Sequence, residues 1–349
     1  MAAARPVGVA VVGAGILGLA TGYELLRREA DVRVFEAARP GSGQSAGRTR
    51  IFRHNHHDPP LVSLAVEARA AWEGWEERLG VRLLGREGVL LTGPGAEAVA
   101  GYLRDAGTPG RLVDAEATRE ALPIFDPPGA PAVLDELGGS TDVRAAIDAL
   151  AAALGDRLEL AEVFALGAGE PARVETSEGV WEAGRVVLCA GARVLELAAP
   201  LGFEIPLRLT LHARVTFPLR DESLAGRLAG LQDGSGSHGE TVYAAPHPGE
   251  PFYAVGLSGP GSDVPLGHEA DTARLVERIV AYTGRALPGL EPEPADVRLC
   301  IQSLLPDSPD SFWTWERGRV IAVAGDNLFK FAPVLGARLA GRVTVPDGS

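Results

Sequence analysis

The stretch VGVAVVGAGILGLATGYELLRREADVRVFEA, residues 7–37, constrains the fold more than any other part of the chain. Val7–Val12 is a continuous apolar run of strand length. From Ile16 to about Arg28 the apolar residues Ile16, Leu17, Ala20, Tyr23, Leu25 and Leu26 recur at helical spacing. Val32–Glu36 alternates like a second strand and ends in an acid, 23 residues after Gly13. Between the first strand and the helix stands G-x-G-x-x-G: Gly13, Gly15 and Gly18. This context predicts a βαβ dinucleotide site. Gly13 makes the tight turn, Gly15 lets the backbone approach a pyrophosphate, and Gly18 lets helix and strand pack closely. The pyrophosphate sits on the helix N-terminus, and Glu36 accepts from ribose hydroxyls. An acid at that point disfavours a 2′-phosphate, which leaves FAD and NAD open.

At 349 residues the chain is long enough for two domains, or for one large domain with an elaboration. With 46% hydrophobic and 23% charged residues it reads as globular. The net charge of −13, without a basic block, excludes nucleic acid as a natural partner. No run of 18 apolar, uncharged residues is present, so no membrane span is expected. The N-terminal apolar run leads into the glycine motif and reads as a strand, not a signal peptide. Two cysteines, Cys189 and Cys300, make no disulfide framework. A cytoplasmic protein, monomeric or a small homo-oligomer, is the expectation. His54, His56 and His57 cluster without cysteine or paired carboxylates at ligand spacing, so no metal is expected. Cys189, inside an apolar strand, reads as core.

Further along, residues 38–60 (ARPGSGQSAGRTRIFRHNHHDPP) are a loop by composition. Leu61–Leu79 is predicted helical, with Trp72 and Trp75 packing in the core. Residues 88–93 are predicted to form a strand, and Pro123–Pro131 a linker. Residues 140–155 should be a helix capped by Ser140, Thr141 or Asp142 and stopped by Gly155. Arg185–Gly202 reads as a strand, an Ala190-Gly191 turn and a helical segment. Leu207–Phe217, Phe252–Leu257 and Val320–Ala324 are predicted strands, and Thr272–Thr283 a helix. After Lys330, Ala332–Gly336 opens a last helix, with a proline in its first turn. Lys330 is the only lysine beside 32 arginines. Lys is a compact, rotatable charge that Arg's planar fork does not replace, so its retention between Phe329 and Phe331 suggests a role.

Four segments together with the glycine motif resemble FAD-dependent amine oxidases of the monomeric sarcosine oxidase type, in the D-amino-acid oxidase and glycine oxidase group. They are Arg48-Thr49-Arg50-Ile51-Phe52-Arg53-His54, Gly88-Val89-Leu90-Leu91-Thr92-Gly93, Cys300 to Asp307, and Lys330-Phe331. The resemblance runs over nearly the whole chain. It implies an α/β fold, α+β overall: a discontinuous Rossmann-like FAD domain (1–82, 139–206 and 300–349) and a second, antiparallel-sheet substrate domain (83–138 and 207–299). It implies FAD contacts from Gly13, Gly15, Ile16, Leu17, Gly18, Glu36, Arg48, Thr49, Arg50, Val163, Ala190, Gly191, Gly325, Leu328, Phe329 and Lys330. It implies flavin attachment through Cys300, because Ser303 and Asp307 hold the offsets seen in the covalent members. Arg53 and Lys330 match the substrate-carboxylate pair, Arg50 a second arginine near the flavin, and His54 a position beside the substrate arginine. Tyr243, Ser258 and Gln302 fall on substrate-wall positions.

Three positions depart from that pattern. Ala254 stands where those oxidases carry a lysine that helps reduced flavin meet oxygen, Ser258 replaces a histidine, and Gln302 replaces a tyrosine. The loop before Lys330 is about two residues shorter. The flavin and carboxylate anchors are kept while the oxygen site and substrate walls change. The expectation is therefore oxidation of a secondary or cyclic amino acid bulkier than sarcosine, with oxygen or another acceptor taking the electrons. A primary amino acid substrate, a non-catalytic FAD-bearing partner and an NAD-dependent dehydrogenase are the competing readings.

Overall fold

The computed structural model describes residues 3–129, 131–306 and 312–344. Asp307, one of the residues singled out with Cys300, lies outside them. The chain divides into two compact units, one of residues 1–46, 145–209 and 301–349, the other of residues 47–144 and 210–300.

The first unit is built on an eight-stranded sheet. Its middle strands are parallel: Val320–Gly325, Gly179–Leu188, Arg5–Val12, Val32–Glu36 and Leu158–Leu160, in that spatial order. Phe312–Arg317 adds an antiparallel edge, and Ala172–Thr176 with Val163–Gly167 forms an antiparallel extension. Parallel strands covered on both faces need apolar side chains throughout, which is why Val7–Val12 has no alternation. Val7, Val12, Phe35, Val186, Leu188 and Val320 share one core cluster. The Ile16–Leu26 and Ala332–Thr344 helices cross where Gly336 meets Ala20, so closely that a Cβ on Gly336 would lie 2.7 Å from the Ala20 Cβ.

The second unit holds a nine-stranded sheet. Its path runs Asp263–Pro265, Arg208–Pro218, Phe252–Leu257, Val242–Pro246, Gly230–Asp233, Val89–Thr92, Ala132–Asp135, Gly110–Val113, and Asp296–Leu304 also pairs with Arg208–Pro218. Along this path the pairs are antiparallel, as expected, except Gly230–Asp233 with Val89–Thr92, which run parallel. Side chains alternate across a strand. Ala213, Val215 and Phe217 therefore enter a core that includes Leu275, Ile279 and Tyr282 of the Thr272–Ala286 helix. His212, Arg214 and Thr216 project from the opposite face.

Most predicted elements are present within a few residues. Two differ. Residues 38–60, expected as a loop, carry the Thr49–Phe52 strand. Ser140 and Thr141, expected as helix caps, belong to the Gly139–Asp142 strand, which pairs with Thr49–Phe52, and the helix begins at Val143. The partner strand lies some ninety residues earlier, so tertiary pairing overrides a local capping pattern. Thr49–Phe52 and Gly139–Asp142 thus cluster with the second unit.

Candidate active site

In the first unit the glycine turn divides its labour. Gly13 has φ +98, and a Cβ there would lie 2.6 Å from the Cys189 carbonyl oxygen. A Cβ on Gly18 would lie 1.8 Å from the Gly13 carbonyl oxygen. Both glycines are demanded by packing. At Gly15 the only neighbour of such a Cβ is Ser45 Oγ, at 3.3 Å, so this glycine leaves space beside the helix N-terminus. Ser45 Oγ accepts from the Ile16 N–H at 2.9 Å. The other first-turn amides have no carbonyl one turn back to accept them, and no acid stands in that turn. An anion is favoured there by amides and helix dipole alike. Glu36 accepts the Ala14 N–H at 2.7 Å and the Ala38 N–H at 3.1 Å, and each carboxylate oxygen keeps a further lone pair for a ribose hydroxyl. The cradle fits the adenosine diphosphate end of a dinucleotide.

The Ala190-Gly191 turn follows the neighbouring strand, and Gly191 takes φ +56. Gln44, which the sequence did not single out, donates to the Ile301 carbonyl at 3.0 Å and to Ser303 Oγ at 2.9 Å. It fixes the segment carrying Gln302. Val163 is buried in the core, and its carbonyl accepts from Arg193 at 3.5 Å. Burial pushes the Cys189 thiol up to about 12, which leaves it protonated and inert. Lys330 is only 7% exposed; it sits in the Leu328–Phe331 turn with Nζ 5.1 Å from the Phe331 ring centroid. Asn327 enters that turn from the left-handed region, at φ +52, directly after Gly325 and Asp326.

In the second unit a polar row crosses the sheet on the face opposite its core. Register places Arg214 beside Gly256 and Gly256 beside Tyr243. Gly256 lets the tyrosine ring lie across its strand: a Cβ there would meet Tyr243 Cζ at 2.5 Å. Tyr243 Oη thereby reaches His212 Nε2 at 2.8 Å and Arg214 Nη2 at 3.4 Å. The Ser262 carbonyl, 3.0 Å from His212 Nδ1, can only accept, so Nδ1 carries the proton and Nε2 accepts from the tyrosine. Burial, then the Arg214 charge, lowers the His212 pKa to about 4, so the ring is neutral. The tyrosine hydroxyl donates to His212 and its lone pairs face Arg214.

Arg50 approaches this row from the Thr49–Phe52 strand. A Cβ on Gly47 would lie 2.8 Å from Arg50 Nη1 and 3.4 Å from Arg214 Nη1, so both guanidiniums converge on one spot. Burial and the Arg214 charge pull the Arg50 pKa down to about 9, still protonated at neutral pH. Cys300, on the Asp296–Leu304 strand, is close enough to act electrostatically on both arginines. The structure thus brings Arg50, Tyr243 and Cys300 together and adds Arg214 and His212, which the sequence reading missed. One arginine in an apolar, β-branched run reads as an outward-facing charge.

The remaining sequence-predicted residues are placed as follows. Arg48 makes a two-point ion pair with Glu250. Thr49 is buried, and its hydroxyl has no hydrogen-bond partner among the described residues. Arg53 donates to the Asn55 carbonyl at 2.7 Å and lies near His57. His54 is a buried staple: Asp135 receives its backbone N–H and lies 3.0 Å from Nδ1. Ser258 and Thr241 exchange hydrogen bonds at the end of the Phe252–Leu257 strand. Ala254 is 3% exposed, paired with Thr216 and Ala245 one row from Tyr243. Among the described residues no three His, Cys, Asp or Glu side chains are grouped to hold a metal ion. No helix among them is long and apolar enough to cross a membrane.

A parallel sheet with this glycine turn defines a dinucleotide-dependent protein, and the second unit presents a cationic sheet face that suits an anionic small molecule. Residues 8–342 match the family described as FAD dependent oxidoreductase, and the chain belongs to that family. It is an FAD-dependent oxidoreductase. The peroxisomal sarcosine oxidase of Homo sapiens is 26% identical over 93% of this chain and 89% of that protein. The monomeric sarcosine oxidase of Streptomyces avermitilis is 31% identical over 56% of this chain and 54% of that one. Among solved structures, NikD, an unusual amino acid oxidase essential for nikkomycin biosynthesis, superposes with TM-score 0.84 at 22% identity, covering 99% of this chain and 95% of that one.

Proposed function

We propose that this oxidoreductase acts on a secondary or cyclic amino acid, converting its C–N bond to an imine. The carrying observation is the cationic row of Arg50 and Arg214 beside Tyr243, in a chain whose net charge is −13. Such a row suits an anionic substrate. On the same face Ala254 and Ala245 are paired small residues, which leaves room for a substrate bulkier than N-methylglycine. The sarcosine oxidases among the relatives support an amino acid as substrate class. Bound FAD supplies the two-electron chemistry. The residues of the chain supply position and charge: Lys330 and Arg53 hold the substrate carboxylate, and Arg50 faces the reacting region. Gly13, Gly15, Gly18 and Glu36 hold the cofactor's diphosphate and ribose, with Thr49 adding its hydroxyl and Cys300 carrying the flavin on a thioether. The amine must arrive neutral to give up its electrons, and positive neighbours lower its pKa toward that form.

The test is anaerobic flavin bleaching by a panel of amines. Cyclic and N-alkyl amino acids should bleach the 450 nm region (about that wavelength for any flavin), and matched primary amino acids should not. Bleaching by primary amino acids alone, or by no amino acid, would overturn the proposal.

A further inference from the structure

Arg214 has no counterpart among the residues that the resemblance implies, and it adds positive charge to the row without a contact to the α-carboxylate, which is assigned to Lys330 and Arg53. It comes from the middle of the Arg208–Pro218 strand, and its guanidinium meets that of Arg50 over Gly47. Its Nη2 reaches Tyr243 Oη at 3.4 Å, while its Nη1 is enclosed with no hydrogen-bond partner among the described residues. Among the described residues no carboxylate forms an ion pair with Arg214; the groups that favour its charge are Tyr243 and Cys300. His212 is neutral and already accepts the Tyr243 hydroxyl, so it offers no compensating anion. Two guanidiniums held together in partial burial repel, and the arrangement is relieved by a ligand anion between or beside them. The row is rigid: Gly256 fixes the tyrosine ring, His212 fixes its hydroxyl, and Ser262 fixes His212.

We propose that Arg214 is a specificity-determining residue, an anchor for a second acidic group, so that the preferred substrate is an amino dicarboxylic acid and not a monocarboxylic one. The inference rests on the amino acid oxidase reading above. The α-carboxylate goes to Lys330 and Arg53 in that reading, and the further carboxylate goes to Arg214 with Arg50. The simpler assignment of Arg214 as a plain structural cation is disfavoured, because a structural cation at this depth finds an acid and this one has none among the described residues.

The experiment compares ligands that differ by one carboxylate. Binding of malonate and propionate to the FAD-loaded protein is measured by calorimetry and by perturbation of the flavin spectrum. N-methylaspartate and N-methylalanine are compared by anaerobic bleaching. The dicarboxylate of each pair should bind roughly ten- to a hundredfold more tightly, the range for one charge-assisted contact. Arg214→Gln should erase that preference while changing monocarboxylate binding less than about threefold. Arg214→Lys should keep part of it, which guards against a Gln variant that folds poorly. Equal affinities in the unmodified protein overturn the inference, as does a preference that survives Arg214→Gln. A flavin spectrum altered by Arg214→Gln with the malonate-to-propionate ratio unchanged also overturns it and assigns the residue to the cofactor. If no amine bleaches the flavin, the amino acid oxidase reading fails by itself; the malonate comparison still decides whether Arg214 anchors a second carboxylate.

Discussion

At the scale of single residues, the hydrogen-bond chain from Arg214 through Tyr243 and His212 to Ser262 makes two measurable demands. The first concerns Gly256. Its backbone is ordinary, so the glycine is there for the ring above it. Gly256→Ala would put a methyl 2.5 Å from Tyr243 Cζ and drive the ring off the strand. Overpacking of this kind costs about 1–3 kcal/mol of stability. The ring's departure also strips His212 and Arg214 of their partner. We expect a lower thermal midpoint and roughly tenfold weaker binding of a dicarboxylate such as malonate, with FAD content unchanged. Unaltered ligand binding would show that the row does not face the substrate. The second demand concerns pH. His212 has its pKa lowered to about 4 from an ordinary 6.5. The unfolded chain takes up this proton first as pH falls. The stabilisation by neutral His212 is therefore complete above pH 6.5 and drains away between 6.5 and 4, by something on the order of 3 kcal/mol. His247, also lowered to about 4 by burial and then by Arg48, adds to the same slope. Urea midpoints between pH 4.5 and 7 should rise steeply in the unmodified protein and less steeply in His212→Gln. Parallel slopes would mean that His212 does not carry the dependence.

At the scale of elements, the strand–turn–helix around Gly13–Gly18 separates folding from binding. The Cβ of Gly15→Val would meet only Ser45 Oγ, so the helix should form and the protein should purify. The added side chain fills the space left for a pyrophosphate, and FAD should be lost. Gly18→Ala behaves differently, because its Cβ would lie 1.8 Å from the Gly13 carbonyl oxygen and must pry helix from strand. That variant should lose stability as well as flavin. The flavin-to-protein absorbance ratio and a thermal melt of each variant separate the two outcomes; normal flavin in Gly15→Val would displace the site. This unit was legible in the sequence because each of its signals is local. A continuous apolar run, a glycine turn and a 3.6-residue period all fall within residues 7–37. Ser140 and Thr141 were misread as caps for the opposite reason, while Asp142, the third candidate, does stand directly before the helix. The strand partner of Ser140 and Thr141 is Thr49–Phe52, and no local pattern encodes that pairing. Arg214 was missed on the same ground. It acquires meaning only once register places it two strands from Tyr243 and the Thr49–Phe52 strand brings Arg50 to it.

At the scale of the whole molecule, the proposal that Cys300 carries the flavin makes a demand on stability. Cys300 is partly exposed on the Asp296–Leu304 strand, within electrostatic reach of Arg50 and Arg214. Cys189, buried and held protonated, cannot take its place. If Cys300 carries the flavin, the cofactor is part of the chain and its contribution to stability does not depend on free FAD. If the flavin is only bound, stability rises with free ligand, by about 2.7 kcal/mol at a concentration a hundredfold above Kd. The unmodified protein should therefore keep its yellow colour through acid precipitation and melt at a temperature that added FAD does not change. Cys300→Ala should release flavin on precipitation, and its melting temperature should climb with added FAD. The variant keeps the glycine cradle and Glu36, so it should still reload. Free FAD in the supernatant of the unmodified protein, together with a melting temperature that follows FAD concentration, would show that the flavin is held by the cradle alone and that Cys300 is an ordinary strand residue.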